Sequence, residues 1–550
     1  PPTEWVIPDG YPNLSNAKEV AIDLETKDPN LTTMGSGWAR KDGHVIGIAV
    51  AVEGDQWYFP IRHELGPNLD VKRTLSWLQD VCNVDRDYVF HNAPYDVGWL
   101  LAEGVQVHGR IVDTMVVAPL LDENRFSYAL NAVGRDYLQE RKSEAELREA
   151  AAAFGINAKS EMFKLPAAYV GLYAEQDAAL TLRLWKHFQT LIIKEDISDI
   201  VDLELKVLKT IVPMRQLGVC VDLDKTERVK IDLAKREKKL LDAITQRTGI
   251  AVEIWAADSV AKAFDVLNLE YSRTENTGAP SFTKGFLKHH PHEVAQMIVE
   301  ARELQKARST FVDSILKHQV NGRIHAELAF DYSSQEPRIV VHYAKLMGFK
   351  GAAEFAAQYN EDARTDFHQM AADVVGVPRK QAKDINLGLF YGMGSKKLAA
   401  SLGLEFEDAK ELFSTYHDKV PFVRELSEYA INRASKRGVI RTVLGRRCRF
   451  DKWEPTRYGS WKPMTHQEAH AEHGPAIKRA FTYKALNKLI QGSAADQTKA
   501  AMVALYEEGI LPMLQVHDEL DLSIENEAQG KRVVEIMENC VKLEVPSVVD

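Results

Sequence analysis

The sequence predicts a protein of several domains that combines an α/β region with an α+β region. Its 550 residues, 45% of them hydrophobic, are enough to form more than one buried core. Short β-type runs such as VAIDLET and VIGIAVAV open the chain, and helix-like and strand-like segments follow to about residue 189. Charged helical patterns occupy about 200–320, and strands and helices alternate from there to the end.

The composition narrows the class of protein. No apolar run reaches the roughly 20 residues that a membrane span needs, so we expect no membrane partner. The first residues have neither the basic nor the apolar part of a secretory signal. The four cysteines lie far apart and form neither a zinc pattern nor a disulfide framework, which predicts a reducing, cytoplasmic location: Cys82, Cys220, Cys448 and Cys540.

The charge of the chain is unevenly distributed. A net charge of −10 argues against a surface that nucleic acid coats throughout. The segment RASKRGVIRTVLGRRCR, from Arg433 to Arg449, nevertheless places many cations among apolar and small residues. Such a block is suited to phosphate contacts, although taken alone it is more typical of a solvated surface.

An acidic pair lies on the first predicted strand, in VAIDLET. Asp23 and Glu25 are two residues apart, so both carboxylates leave the same face of a strand and are able to share a metal ion. The same Asp-Leu-Glu triplet recurs at 202–204 in a helical stretch, where we interpret it as ordinary surface charge. The strand pair by itself is therefore weak evidence for a site.

Two further polar pairs have helical spacing. HNAPYD places Asn92 and Asp96 four residues apart, and YAEQD does the same for Tyr173 and Asp177, so each pair shares a helix face. Taken singly, Asp96 is typical of a helix cap, Tyr173 of a core residue and Asp177 of a solvated one. Together with the strand pair they supply four carboxylates, enough for two divalent cations in phosphodiester hydrolysis, with Tyr173 orienting the attacking water.

In this order the residues resemble the proofreading 3′-5′ exonuclease domain of the DEDD superfamily, in its tyrosine-containing form. The resemblance covers roughly the first 190 residues. It implies an RNase H-like domain over 1–195 that uses two Mg²⁺ ions, with Mn²⁺ as a substitute. The implied catalytic residues are Tyr173 and four metal-ligating acids: Asp23, Glu25, Asp96 and Asp177.

A second acidic pair comes from distant parts of the chain. LAFDYSSQEPRI places Asp331 at the end of an apolar strand, and MLQVHDELDLSI predicts two short strands whose tight turn carries His517, Asp518 and Glu519. Taken alone, the turn is most simply a polar hairpin tip. If Asp331 and Asp518 meet, they are able to hold a metal pair for phosphoryl transfer, in which positioning and charge neutralisation supply most of the catalysis.

Between these acids, VPRKQAKDINLGLFYGMG predicts a helix that begins at about Pro378. Arg379, Lys383, Leu387 and Tyr391 recur every four residues and form one slowly turning stripe. The two cations lie near the positive helix N-terminus and suit a triphosphate, and the tyrosine ring suits a base pair. Two glycines, which cost about 1 kcal/mol each, indicate that another group approaches this helix closely: Gly388 and Gly392.

The segments DYSSQEPR, RKQAKDINLGLFYG and QVHDE resemble the three polymerase motifs of DNA polymerase family A, the bacterial DNA polymerase I type. With the exonuclease motifs, the resemblance covers nearly the whole chain. It implies a right-hand polymerase domain over 196–550. The thumb is expected at about 200–320, the fingers at about 345–430, and the palm at about 321–344 and 431–550.

The family resemblance also implies roles for single residues. Asp331 and Asp518 become the metal ligands and catalytic acids, and Lys383 a further catalytic residue at the triphosphate. The other implied substrate-binding residues are Arg379 at the triphosphate, Glu336 as a steric gate against a ribose 2′-OH, Leu387 at the sugar, Tyr391 beside the nascent pair, His517 at the primer terminus, and Asn487 and Gln491 in the DNA minor groove. Because all correct base pairs share minor-groove acceptors, amides there check geometry without reading sequence. The thumb cations expected at the duplex backbone are Arg302, Lys306 and Arg308.

Three features depart from the family pattern. Leu387 stands where the family usually has Phe or Tyr, which puts sugar discrimination in doubt. NGRIHAEL runs almost directly into AFDYSS, where the family has a longer stretch with an arginine that contacts primer-template; the stretch is either deleted or left out of the sequence. No 5′-nuclease domain precedes the exonuclease motifs, which suits a phage-type replicative enzyme or a trimmed large fragment.

The sequence therefore predicts a template-directed DNA polymerase with 3′-5′ proofreading that serves DNA replication. We expect a monomer whose partners are primer-template DNA and dNTPs, and any processivity factor stays open. Three alternatives remain: a single-subunit RNA polymerase, against which Glu336 argues, a DNA-binding scaffold without turnover, and an enzyme that only degrades DNA. The prediction depends on Asp331 and Asp518 meeting around shared ions.

Overall fold

The computed structural model of the chain describes residues 3–274, 277–325, 335–390, 393–402, 404–457, 459 and 461–549. The chain forms two compact units, of which the first contains residues 1–217 and 327–550 and the second residues 218–326. Two of the site residues expected from sequence, Asp331 and Tyr391, lie outside the described ranges. Within those ranges, no helix has both the length and the apolar character needed to cross a membrane.

The first part of the larger unit is built on a mixed five-stranded sheet with the order β3-β2-β1-β4-β5. β1 pairs antiparallel with β2 and parallel with β4, so it lies at the centre of the sheet. The two strands that flank β1, β2 and β4, are rich in β-branched and aromatic residues and are almost completely buried. The strands are β1 (Glu19–Lys27), β2 (His44–Val52), β3 (Asp55–Pro60), β4 (Asp87–Phe90) and β5 (Arg110–Asp113).

Helices cover this sheet. The long helix α7 packs across β1, β2 and β3, and α3 packs against β1 and against α8. The helices of this part are α1 (Leu31–Met34), α2 (Val71–Cys82), α3 (Ala93–Ala102), α4 (Thr114–Leu121), α5 (Leu130–Leu138), α6 (Ala145–Phe154), α7 (Gly171–Glu195) and α8 (Ser198–Leu217). The predicted α/β region is thus confirmed, with the acidic strand at its centre.

The smaller unit is mainly helical and has its own core, in which α9 packs along α12. Its helices are α9 (Leu223–Thr248), α10 (Ala257–Val266), α11 (Lys284–His289), α12 (Glu293–Lys306) and α13 (Asp313–His318), with a π-helical turn over Ala307–Val312. Its strands are β6 (Val219–Cys220), β7 (Ser272–Arg273), β8 (Pro280–Ser281), β9 (Gln319–Val320) and β10 (Arg323–Ile324). The predicted helical character of this stretch is confirmed.

The remainder of the larger unit surrounds the long helix α22, which packs against α8, α14, α20 and α23. Its helices are α14 (Gln335–Leu346), α15 (Ala352–Glu361), α16 (Phe367–Val375), α17 (Arg379–Phe390), α18 (Ser395–Leu402), α19 (Phe406–Lys419), α20 (Pro421–Arg437), α21 (His466–His473), α22 (Ala485–Glu507) and α23 (Glu527–Asn539). Three two-stranded ribbons complete it: β11 (Val439–Arg441) with β12 (Arg447–Arg449), β13 (Trp453–Pro455) with β14 (Ile477–Arg479), and β15 (Leu514–Val516) with β16 (Glu519–Asp521).

Candidate active sites

The first candidate site lies on the central strand β1. Asp23 and Glu25 leave the same face of β1 and are half-buried, while Leu24 between them is buried on the other face. Their cross-strand partners on β2 are small, Ala49 opposite Asp23 and Gly47 opposite Glu25. The strand predicted from VAIDLET is therefore confirmed, and it presents both carboxylates together.

Helix α3 brings a third acid to this strand. Asp96 lies in the first turn of α3, is buried, and accepts a hydrogen bond of 2.9 Å from the backbone N–H of Leu24. The start of α3 is held by Asp113, which accepts from the backbone N–H groups of Asn92 and Ala93. Because Leu24 separates the two strand acids, its bond to Asp96 places a third carboxylate beside them.

Helix α7 supplies the fourth acid and the tyrosine. Asp177 is buried, and Tyr173 lies one helical turn before it, as the spacing predicts. Lys142, from the loop before α6, donates to Asp177 Oδ2 at 2.8 Å and to the Tyr173 hydroxyl at 3.0 Å. Sequence reasoning missed Lys142, because nothing in RKSEAE distinguishes it from the other charged residues of that loop.

The four acids lie where a negative charge is unfavourable. Burial and then the repulsion of Asp177 raise the pKa of Asp23 to about 7. Burial raises the pKa of Glu25 and of Asp96 well above the usual range, and repulsion from Asp23 adds to both. Burial also raises the pKa of Asp177, and the nearby Lys142 ammonium opposes that rise. Asp23, Glu25 and Asp96 therefore lie within range of one another's charge, and Asp177 acts on the two strand acids.

The chemistry of these acids fits divalent cations. Carboxylate oxygens are the ligands that hard cations prefer, and Asp177 Oδ1 is buried without a hydrogen-bond partner within the described part of the chain. As the side chains stand, no three acidic, His or Cys groups among the described residues converge to enclose an ion. The other oxygen of Asp177, Oδ2, accepts a hydrogen bond from Lys142.

The second candidate site contains a buried acid at the tip of a hairpin. β15 and β16 are joined by the two-residue turn predicted from QVHDE, and His517 there has a positive φ of 51°. His517 and Glu519 are exposed, whereas Asp518 is 8% exposed. Only Asp518 of the three tip residues thus turns inward. Its expected partner Asp331 lies outside the described residues.

Helix α17 carries the predicted cationic stripe and begins at Arg379, directly after Pro378. Arg379 and Lys383 are exposed, and Arg379 Nε forms an ion pair of 2.6 Å with Asp366 Oδ2 at the start of α16. Leu387, one turn further on, is half-buried. The stripe therefore offers its charges to solvent at the N-terminal end of the helix and turns inward toward its C-terminal end.

The glycine in this helix has a local explanation. A Cβ at Gly388 would lie 2.9 Å from the sulfur of Met393, so the close approach that we expected from sequence is made by that side chain. Gly392 lies outside the described residues. At least at Gly388, the glycine does not by itself indicate a bound substrate.

The remaining predicted substrate residues lie on two helices that touch. Glu336 is half-buried in the first turn of α14, next to Gln335, whose amide donates to Gln497 on α22 at 2.9 Å. On α22 itself, Asn487 is half-buried and Gln491, one turn later, is exposed. The structure thus confirms the predicted helical positions, while the roles stay predictions.

The phosphate-binding interpretation of the arginine-rich block is wrong for its second half. In the β11–β12 hairpin, the arginines already bind acids and carbonyls of residues far away in the chain. Their partners are Asp196 and the Glu195 carbonyl for Arg441, Glu204 and Asp496 for Arg446, Glu195 for Arg447, and Glu123 and Glu195 for Arg449. A dense cationic sequence does not distinguish a phosphate-binding surface from an internal ion-pair network.

The surface assignment of the second Asp-Leu-Glu triplet is also wrong at Glu204. Glu204 is 7% exposed and binds both Arg446 and Lys499, the latter at 2.6 Å. The interaction with these cations outweighs burial and holds its pKa below the usual range. The helix α8 thus turns this acid inward, against residues almost 300 positions later in the sequence.

Two of the three expected thumb cations are also engaged within their own unit. Arg302 donates to the backbone carbonyls of Ile254 and Phe282 at 2.7 and 2.8 Å, and Arg308 forms a 3.0 Å ion pair with Glu237. Lys306 is exposed. Of the three cations predicted to contact the DNA backbone, Lys306 is the one whose position fits that role best.

Comparisons with known proteins identify the family of both regions of the chain. Residues 325–550 match the model of DNA polymerase family A, and residues 11–193 match that of a 3′-5′ exonuclease. The chain is 33% identical to a DNA-directed DNA polymerase of Pseudomonas phage M6 over 654 aligned positions, which cover 100% of this chain and 95% of the relative. Since the alignment is longer than this chain, the phage protein has residues without a counterpart here.

Two further comparisons extend this result. DNA polymerase I of Pseudomonas aeruginosa is 27% identical, with 98% of this chain and 63% of the relative covered. Among solved structures, the POL domain of Pol1 from M. smegmatis, in a complex with DNA primer-template and dNTP, has a TM-score of 0.74 at 21% identity. The match covers 98% of this chain and 95% of the Pol1 chain. At this identity it supports the fold.

Proposed function

Because this chain belongs to DNA polymerase family A and carries a 3′-5′ exonuclease domain, we propose that it extends primer-template DNA with dNTPs and edits the 3′ end at a separate site. The observation that carries the editing half is geometric: Asp23 and Glu25 share one face of β1, the N–H of Leu24 between them binds Asp96, and α7 presents Asp177 and Tyr173 from one face. The synthetic half is supported by the relative that matches the whole chain.

For the exonuclease, Asp23, Glu25, Asp96 and Asp177 are the proposed ligands of divalent cations, Mg²⁺ with Mn²⁺ as a substitute. Such ions, when bound, supply charge neutralisation at the phosphodiester and make water a better nucleophile. The protein holds these side chains in position. The Leu24 N–H donates to Asp96, and α7 presents Asp177 and Tyr173 from one face. Tyr173 is proposed to orient the attacking water.

For synthesis, Asp331 and Asp518 are the proposed metal ligands, again for Mg²⁺. Arg379 and Lys383 are proposed to bind the triphosphate. In support, both are exposed in the first turns of α17, where the helix dipole also favours an anion. Further along this helix, Leu387 is proposed to lie at the sugar and Tyr391 beside the nascent base pair. The other proposed substrate residues are Glu336 as the gate against a 2′-OH, His517 at the primer end, and Asn487 and Gln491 in the minor groove.

The domain limits are proposed from the same resemblance. The exonuclease occupies 1–195 and the polymerase 196–550, with thumb, fingers and palm as the sequence predicts. We further propose that the enzyme acts as a monomer on replicating DNA in the cytoplasm of a bacterial cell, since its relatives are phage and bacterial DNA polymerases.

Primer extension by three proteins tests this proposal: the wild type, Asp518→Asn and Asp23→Asn. With Mg²⁺ and four dNTPs, Asp518→Asn should lose synthesis and keep degradation of the primer, and Asp23→Asn should do the reverse. Replacing dNTPs with rNTPs should stop extension by the wild type, and efficient rNTP use would instead indicate an RNA polymerase. Degradation without any extension would leave only the exonuclease, and inactivity in both assays would indicate a DNA-binding scaffold.

A further inference from the structure

A lysine side chain lies inside the acidic exonuclease cluster. The Lys142 ammonium donates to Asp177 Oδ2 at 2.8 Å and to the Tyr173 hydroxyl at 3.0 Å, and it lies 4.4 Å from the centre of the Tyr173 ring. Its side chain is 10% exposed. One ammonium therefore joins the two functional residues that α7 contributes.

Hydrogen bonds fix the backbone of the loop that carries Lys142. The N–H of Lys142 donates to Asn131 Oδ1 at 3.3 Å, and the N–H of Ser143 donates to Gln176 Oε1 at 2.9 Å. Gln176 directly precedes Asp177 on α7. The loop that carries the lysine is thus tied to the helix that carries its partners.

The position of this ammonium affects the whole cluster. The ammonium is one positive charge beside four carboxylates, and of these four it forms its hydrogen bond with Asp177. The same charge also occupies an oxygen of Asp177 that a divalent cation would use, and it repels such a cation.

We propose that Lys142 is a positioning residue of the exonuclease: it holds Tyr173 and Asp177 in their working arrangement and competes with divalent cations for the Asp177 carboxylate. The inference rests on the proposed exonuclease function. When the charge is removed, the two parts of the proposal predict a gain in cation affinity and a loss of reaction rate. Without the ammonium, cations bind more tightly, but Tyr173 and Asp177 lose their common anchor and the reaction slows.

The test uses the full chain with Asp518→Asn as background, so that binding at the polymerase site contributes less. Lys142→Met, Lys142→Arg and Lys186→Met are compared in this background. Lys186 is the matched control, because it lies on α7 and pairs with the exposed Glu53 at 2.8 Å, away from the acids. Mn²⁺ binding is followed by electron paramagnetic resonance, and hydrolysis of single-stranded DNA by single-turnover kinetics.

Lys142→Met should bind Mn²⁺ about tenfold more tightly, as expected for removal of a neighbouring charge at a partly buried site. Its maximal hydrolysis rate should fall at least tenfold at saturating DNA and Mn²⁺. Lys142→Arg keeps the charge, so its Mn²⁺ affinity should stay near that of the background and its rate should recover in part. Lys186→Met should change neither quantity.

An unchanged rate in Lys142→Met, or an unchanged or weaker Mn²⁺ affinity, overturns the proposal. If Lys142→Met does not fold, Lys142→Gln answers the same question, since it lacks the charge but keeps a hydrogen-bond donor. Failure of the exonuclease proposal is seen separately, because the Asp518→Asn background would then not degrade DNA at all.

Discussion

The acidic cluster at Asp177 and the cationic start of α17 are built in opposite ways. In the cluster, four acids are wholly or partly buried, repulsion between acids raises the pKa of Asp23, Glu25 and Asp96, and Lys142 opposes that rise only in part at Asp23 and Glu25. On α17, Arg379 and Lys383 are exposed, and Arg379 shares its charge with Asp366. The first region therefore carries unfavourable charge, which we expect added cations to relieve, whereas the charges of the second region are open to an anion.

The largest effect that this comparison predicts is on nucleotide addition. Lys383→Ala should lower the rate of dNTP incorporation about 100-fold to 1000-fold, because a charged group that stabilises the transition state is lost. Degradation of the same primer by the exonuclease should stay unchanged. Both rates are measured by rapid quench with a labelled primer.

Lys410→Ala is the control for that experiment. Lys410 is an exposed lysine of α19 that pairs with Glu407 at 3.4 Å, and its loss should leave incorporation unchanged. Equal losses of synthesis and degradation in Lys383→Ala would contradict the separation of the two regions, since they would indicate a general disturbance of the fold.

The arginines of the β11–β12 hairpin form a third charged region. It sharpens the comparison because its cations are already paired with acids. Arg446→Met should reduce the free energy of unfolding by about 3 kcal/mol, since it leaves the buried Asp496 without its cation and leaves Glu204 with Lys499 alone. Urea denaturation measures the change. Arg532→Met, at an exposed pair with Glu508, should have a much smaller effect on the free energy of unfolding. Similar values for both would show that the buried network contributes no more than a surface pair.

The smallest predicted effect is on the pH dependence of stability without metal. The pKa of Asp23 is about 7 in the folded protein and near 3.8 in an unfolded chain, so its contribution favours folding at low pH and is lost as pH rises through 7. In the presence of EDTA, the melting temperature should therefore fall between pH 5.5 and pH 8, and Mg²⁺ should restore it at pH 8.

Two variants separate the contribution of Asp23 from that of other acids. Asp23→Asn should have a shallower fall in melting temperature, and Asp55→Asn, an exposed change at the start of β3, should follow the wild type. A slope that is the same in all three proteins would contradict the conclusion that the cluster stores unfavourable charge.

Much of the architecture around the sites follows from local spacing. The two-residue spacing of Asp23 and Glu25 predicts one face of a strand, and the four-residue spacing of Tyr173 and Asp177 predicts one face of a helix. Both are confirmed, since these periods depend only on neighbouring backbone dihedrals. The turn at Asp518 and the start of α17 are predicted for the same reason.

The charged residues that sequence reasoning missed or misjudged depend on partners from other segments of the chain. Glu204 and Arg446 are 242 positions apart in the sequence. Lys142 and Asp177 are 35 positions apart, with α6 between them and Asp177 on α7. A charged residue looks alike in sequence whether solvent or an opposite charge surrounds it. Burial and partner therefore had to come from the structure.

By itself, the sequence determined the family and the order of its two domains, and it predicted the acids of the exonuclease, because short motifs and their spacing carry that information. Only the tertiary structure decided which charges are neutralised inside the protein and which face solvent. The physical reason is that the energy of a charge depends on the dielectric and the countercharges that packing places around it. Those surroundings are assembled from segments that the linear sequence keeps far apart.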